Sequence, residues 1–333
     1  MSKTAASDVF FGEHPSMRSL HAMIERVALS KARTVLIYGE TGTGKGLVAQ
    51  MLHELSPRAA APFLDINCAA IPTSLLESEL FGHERGAFTG AVGRKQGLIE
   101  AAAGGSFFLD EVRELDPTMQ AKILTLLDTR RMRRVGGVKQ IDVDVRFIAA
   151  TNRILLGEVK AGLFRDDLYY RLQVVALNIP PLRERGDDLF ILAERFMRQY
   201  SREHGTQAKR FPPDVRAIFR SYPWPGNVRE LENLIERICL LEDGDSVQLD
   251  HLPQRILRVV RGEESGALAS VPAVGASTPT DFHTATQRYQ RTLLEQALSR
   301  SGGQLAPAAA QLGLSRHALR HQMHKLGLPG TVT

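Results

Sequence analysis

The sequence predicts an α/β core built on a parallel sheet, then a helical segment, then a small all-α domain near the C-terminus. Three observations predict it. A glycine-rich turn, Gly39-Glu40-Thr41-Gly42-Thr43-Gly44-Lys45, joins an apolar run to a segment with helical spacing. Four further apolar runs alternate with helical stretches before residue 180, the pattern of strands covered by helices. Past a Gly/Ala/Ser/Pro-rich stretch, two short helical segments flank a glycine turn.

Composition bounds the rest. At 333 residues the chain is too long for one compact core and suits two or three domains. With 43% hydrophobic and 24% charged residues it is ordinary for a soluble globular protein. No apolar run approaches a membrane span, and the N-terminus has no signal-peptide core. Cys68 and Cys239 are far apart among core-like residues, which argues against a disulfide framework and for a reducing cytoplasm. From His283 onward six Lys/Arg stand against Glu295, so the tail carries the whole net charge of +5. A basic tail points to nucleic acid as its partner.

In chain order, the few residues before Phe11 leave no room for a sensory domain, and Met17 to Leu29 has helical spacing. Thr34 to Tyr38 reads as a buried strand and Leu47 to His53 as a helix, the flanks that a phosphate-binding loop requires. Glycines there let backbone N–H groups converge on phosphates, and the helix dipole favours negative charge. Lys45 reaches the β/γ-phosphates. Gly46 stands where Ser or Thr would bind Mg²⁺, so the metal must lean on residues further along.

Pro62 to Asn67 reads as a second strand and Ser74 to Leu80 as a helix. The following Phe81 to Ala91, with Gly82, Gly86 and Gly90, suits neither helix nor strand. It is a surface loop, and Phe88 at its tip is exposed without reason unless it meets a partner. Gly104 to Glu111 is a strand ending in two acids. After a phosphate loop this looks like a Walker B strand: Asp110 would hold Mg²⁺ and Glu111 would orient and polarise a water. An acidic pair in that place also serves as a helix cap.

Pro117 to Leu127 is a helix, and Met132 to Val143, with Gly136-Gly137, is a hairpin. Val145 to Asn152 is a strand whose C-terminal end belongs where open α/β sheets bind ligands. Asn152 would sense a γ-phosphate there, or cap the next helix. Arg165 and Arg171 sit on a short helix before the last strand, Val174 to Ile179. Helices follow at Asp187 to His204, Pro212 to Tyr222 and Asn227 to Leu241. Arg229 lies in the first turn of the last, where a cation opposes the dipole. After the linker, Ala285 to Ser299, Pro307 to Leu312 and Ser315 to Leu326 are helical. The last would be a recognition helix presenting Ser315, Arg316, His317, Arg320, His321, His324 and Lys325 to DNA.

With these motifs in place the chain resembles bacterial enhancer-binding proteins, the AAA+ activators of sigma-54 RNA polymerase. Gly86-Ala87-Phe88-Thr89-Gly90-Ala91 matches that family's signature loop. Leu80 to Glu84, Arg134 to Gly137, Phe164 to Leu172, Pro181 to Arg185 and Trp224 to Leu231 also match, and the tail is similar to a Fis-type helix-turn-helix. The resemblance implies an AAA+ P-loop NTPase core at 8–180, a helical lid at 181–258, a linker at 259–282 and the DNA-binding domain at 283–328.

It further implies ATP and Mg²⁺ as cofactors, a hexameric ring assembled from dimers, and ATP held between subunits by Gly39, Glu40, Thr41, Gly42, Thr43, Gly44, Lys45 and Gly46. Asn152 would be the sensor and Arg229 the lid sensor. Arg165 and Arg171 would reach a neighbour's γ-phosphate, and Asn67 would hold Glu111 in an inactive pose. The loop at Phe88-Thr89 would push on sigma-54 holoenzyme, supported by the hairpin around Arg134 to Gly137, while the tail docks on upstream activating DNA.

Two departures stand out. Gly46 replaces the Glu usual in the family, which is expected to weaken nucleotide handling or tie it to assembly. The regulatory domain common in the family is not in this sequence, so control is expected from expression, an antiactivator or a co-activator protein. An alternative reading is an AAA+ DNA-binding regulator acting without sigma-54, with nucleotide setting only its oligomeric state. Relatives of that kind lack the Gly86 to Ala91 loop.

Overall fold

The computed structural model describes residues 12–262, Leu294, Ser301, residues 304–311, Leu319 and Met323. They fall into two units, divided after Gly262.

The first unit begins α1 (Pro15–Leu29), β1 (Thr34–Tyr38), α2 (Lys45–Glu54), β2 (Phe63–Asn67), α3 (Thr73–Phe81), β3 (Gly82–His83) and β4 (Lys95–Gln96). It continues α4 (Leu98–Ala101), β5 (Ser106–Asp110), α5 (Pro117–Thr129), β6 (Arg131–Met132), β7 (Ile141–Asp142) and β8 (Arg146–Thr151). Then come α6 (Leu155–Lys160), α7 (Asp166–Leu172) and β9 (Ala176–Asn178), and the helical part α8 (Asp188–His204), α9 (Pro213–Ser221), α10 (Asn227–Leu241) and α11 (Gln254–Val260).

Five strands form one parallel sheet in the order β2-β5-β8-β1-β9. Alternate side chains of the central strands β5, β8 and β1 enter opposite cores. Leu36, Phe107, Leu109, Phe147 and Ala149 pack with residues of α3, α5 and α7, while Val35, Ile37, Phe108, Ile148 and Ala150 pack with α1 and α2. Apolar side chains on both faces explain why these strands read as continuous apolar runs. The register aligns Tyr38 with Thr151 and Asn67 with Asp110, so the residues after β1, β5 and β8 emerge along one edge.

Caps fix the helices. Asp116 accepts from Met119 N–H at 2.8 Å ahead of Pro117, an arrangement that stabilises a helix start by about 1 kcal/mol. Arg146, 4% exposed, donates to the carbonyls of Ala28 (2.9 Å) and Val27 (2.6 Å) and so satisfies the C-terminal end of α1. Burial lowers its pKa. The helical part has its own core around Phe196, Phe219, Tyr222 and Trp224, whose indole N–H donates to Phe219 O at 2.8 Å.

The structure departs from the expectations in places. Helices α4, α6 and α11 are too short to show an apolar period, and α11 carries helix to Val260, past the expected start of the linker at 259. Arg165 is the N-cap of α7 rather than a residue within it. In the second unit α12 (Leu305–Gln311) is helical, and Leu305, Ala308, Ala309, Leu294, Leu319 and Met323 are buried together. The DNA-facing residues expected at Ser315, Arg316, His317, Arg320, His321, His324 and Lys325 lie outside the described residues, as does nearly all of the helix expected at Ala285 to Ser299.

Candidate functional site

The loop between β1 and α2 bends at Gly42 (φ 78°) and Gly44 (φ 100°), left-handed conformations that glycine adopts without penalty. Gly44 is the N-cap of α2 and makes no side-chain cap, which leaves the first N–H groups of the helix for an anion. Lys45, 7% exposed, curls back: its Nζ donates to Gly39 O at 3.0 Å and Glu40 O at 3.5 Å. It also stands 3.3 Å from Glu111 Oε1.

Asp110 ends β5, and its carboxylate accepts from Glu111 N–H at 3.0 Å. Burial raises its pKa, opposed by the Lys45 charge. Gly46 contributes no side-chain oxygen, and such a desolvated carboxylate at the mouth of a phosphate cradle gains from a divalent cation, so Asp110 is the residue present that fits Mg²⁺. Glu111 itself is left-handed (φ 52°, ψ 52°) and makes no side-chain helix-cap bond. Its Oε2 accepts from Asn152 N–H at 3.2 Å.

Asn152 does not cap α6, whose N-cap is Ile154. Its Nδ2 donates to Thr41 Oγ1 at 3.3 Å, and its buried Oδ1 has no partner. It therefore spans the loop and the acid strand. Asn67 is differently engaged from expectation: its Oδ1 accepts from Ala69 N–H at 2.9 Å, closing a turn, and Glu111 rests on Lys45 and Asn152 instead.

The helical part closes over the loop. Arg229 N–H donates to Gly42 O at 3.3 Å, and residues Gly42, Gly44, Leu47, Phe196 and Arg229 line a cleft of about 240 Å³. The Glu40 side chain is directed to the lid. Its carboxylate takes two bonds from Arg183 (2.9 and 2.6 Å) and one from Asn227 (3.1 Å). The matched motifs contain Arg183, Arg185 and Asn227, but their bonds to the loop were not legible, because no local pattern marks a bond between residues up to 187 positions apart.

Arg165 and Arg171 are not brought to this loop. Arg165 pairs with Asp167 (3.0 and 2.7 Å) on the surface. Arg171 pairs with Asp128 at 3.0 Å and with Leu127 O at 3.0 Å. The carbonyl of Arg171 accepts from Thr34 Oγ1, at the end of β1 opposite the loop, about 16 Å of strand away.

A second cluster sits elsewhere on the α/β part. The Gly86 to Ala91 loop is closed by Gly86 N–H to Ala91 O (2.9 Å) and Ala91 N–H to Phe88 O (3.0 Å). Phe88 is 41% exposed and its ring meets the His83 ring edge-on, at 5.0 Å. Ala87 lies against Gly136 so closely that a Cβ there would come within 2.8 Å. Arg134, 8% exposed, joins hairpin to loop base by ion pairs to Glu84 and Glu100, both at 2.8 Å.

Residues 10–178 match the Sigma-54 interaction domain, residues 183–267 the AAA+ ATPase lid domain, and residues 289–326 the Fis family of bacterial regulatory proteins. The chain is 45% identical to nitrogen fixation protein AnfA of Azotobacter vinelandii, covering 95% of this chain and 57% of that one. It is 43% identical to response regulator PilR of Pseudomonas aeruginosa over 95% of this chain and 69% of PilR. Among solved structures, NtrX of Brucella abortus in complex with ATP superposes with a TM-score of 0.69 at 35% identity, over 96% of this chain and 69% of NtrX. Among the described residues no helix is long and apolar enough to cross a membrane. The chain spans a little over half to about two thirds of these relatives, and by its matched domains it belongs to the AAA+ family of sigma-54-dependent transcriptional activators.

Proposed function

We propose that this protein is a cytoplasmic ATPase that binds upstream DNA sites and remodels the closed promoter complex of sigma-54 RNA polymerase holoenzyme into the open one. The observation that carries the reading is the exposed Phe88-Thr89 loop, hinged between Gly86 and Gly90 and backed by the Arg134 to Gly137 hairpin, in the same folded unit as the phosphate cradle.

In this reading the amides of Gly42 and Gly44 and the Lys45 ammonium hold the phosphates, and Asp110 would hold Mg²⁺. The ion would neutralise phosphate charge there. Lys45 exchanges Glu111 and the loop carbonyls for phosphate oxygens, which frees the Glu111 carboxylate to orient water and accept its proton. Asn152, already bonded to both Thr41 and Glu111, transmits the change. Arg165 and Arg171, remote from their own loop, serve the site of the next copy in a hexameric ring, and Arg229 serves its own. The Fis-type domain holds dimers on DNA, and an antiactivator or co-activator protein sets when the ring works.

The test is capture of purified sigma-54 in the presence of ADP and aluminium fluoride. A nucleotide-dependent complex is expected. Nucleotide turnover without any complex would overturn the sigma-54 reading and favour a regulator that acts without it.

A further inference from the structure

The face of the phosphate loop turned away from the cradle is bonded along its length to the lid. Three consecutive carbonyls each accept a hydrogen bond from it: Thr41 O from Asn227 Nδ2 at 3.0 Å, Gly42 O from Arg229 N–H at 3.3 Å, and Thr43 O from Arg185 Nη2 at 3.1 Å. The Glu40 carboxylate adds its bonds to Arg183 and Asn227.

Asn227 is fully buried and adopts φ 51°, a left-handed conformation that a non-glycine residue holds only when its surroundings require it. Its amide is fully used, since Oδ1 also accepts from Leu182 N–H at 2.8 Å. Arg185 is 1% exposed, and burial lowers its pKa to about 10. Gly42 belongs to the same joint: a Cβ on it would come within 2.1 Å of Gly226 O.

In a planar trans peptide the carbonyl of one residue and the N–H of the next point in opposite directions. Carbonyls of Thr41 and Thr43 tied to the lid therefore aim the N–H groups of Gly42 and Gly44 away from it, toward the cradle. We infer that Asn227 and Arg183 are positioning residues for phosphate binding, setting the loop's peptide planes from behind so that displacement of the lid lowers nucleotide affinity. The inference rests on the nucleotide reading of the loop. It differs from direct contact of Arg229 with phosphate, because neither residue need touch the ligand.

The experiment uses the full chain with a fluorescent N-methylanthraniloyl-ADP probe, and amide hydrogen exchange over residues 39–46 without nucleotide. Asn227→Asp keeps the acceptor to Leu182 and loses the donors to Thr41 O and to the Glu40 carboxylate. Arg183→Met removes a half-exposed pair and leaves the buried core intact. Each is expected to weaken probe binding about tenfold and to speed exchange in the loop, with an unchanged melting temperature for Arg183→Met. Parental affinity and exchange in both single variants would overturn the inference. If Asn227→Asp does not fold, Arg183→Met decides alone. A parent that binds no probe would overturn the nucleotide reading, and loop exchange would still decide the joint.

Discussion

The Lys45 ammonium lies 3.3 Å from the Glu111 carboxylate, so the cation proposed to bind phosphate and the acid beside it neutralise each other. Both side chains are largely buried, and the pair is held further by Asn152 N–H on the other carboxylate oxygen. Breaking that pair is the first task of a bound nucleotide. Lys45→Ala is expected to abolish nucleotide binding. Glu111→Gln should bind nucleotide and lose turnover by about 10²–10⁴, the usual contribution of a positioned base. Binding and hydrolysis measured separately on each variant check both.

Arg165 and Arg171 act in trans in the account above. Arg165→Ala should cut turnover by about 10³ and leave nucleotide affinity unchanged. Mixing it with Glu111→Gln should restore hydrolysis at sites where an intact arginine faces an intact glutamate. Mixtures no more active than either variant alone would remove Arg165 from the neighbour's site.

Gly46 has room for a side chain. A Cβ there would meet only Phe108 Cε1, at 3.8 Å. Gly46→Glu replaces a poor helix former in the first turn of α2 and places a negative charge at a helix N-terminus, so it should stabilise the fold by about 1 kcal/mol. Thermal or urea unfolding reads the change. An unchanged or lower stability would show that the glycine is required by its conformation.

Glu40 gives the joint a pH dependence. Hydrogen bonding by Arg183, helped by Asn227 and the Arg183 charge, holds its pKa below the ordinary value of 4.5 against the opposing effect of burial. A lowered carboxylate pKa contributes stability that is complete above the unfolded value and lost as pH falls through the folded one. Glu40→Gln should flatten that part of the acid unfolding limb and leave its shape near neutrality alone. The comparison is of stability against pH from about 6 downward for the two proteins.

Thr89 is exposed at the tip of the Gly86 to Ala91 loop, remote in sequence from the phosphate cradle. Thr89→Ala should leave ATP turnover within about twofold of the parent, since surface changes rarely disturb the fold, and abolish transcription activation. A variant that still activates would remove the loop's role.

The strand–loop–helix at Thr34 to Glu54, the acid pair ending β5 and the polar end of β8 were legible because each is a local pattern: an apolar run, then glycines or carboxylates at a strand terminus. The parallel sheet brings these local patterns to one edge, which their order along the chain already implied. The joint of Glu40 with Arg183 and Asn227 was not legible, since it is made by distant residues whose types are common in any helical region. Glu40 keeps its backbone in the loop, where its carbonyl accepts from Lys45 and Thr43, while its carboxylate contacts the lid. The resemblance pairs Asn67 with Glu111, whereas its side chain closes the turn at Ala69. The short helices α4 and α11 escaped because one or two turns carry no measurable period.

The central claim is that ATP hydrolysis at this cradle moves the Phe88 loop against sigma-54. The most direct measurement is strand opening at a fully duplex sigma-54 promoter, followed by permanganate reactivity of unpaired thymines, with purified holoenzyme, this protein and ATP. The account predicts reactivity near the start site that needs hydrolysable ATP and disappears with Glu111→Gln. A promoter that stays closed while this protein hydrolyses ATP and occupies its upstream site would contradict it.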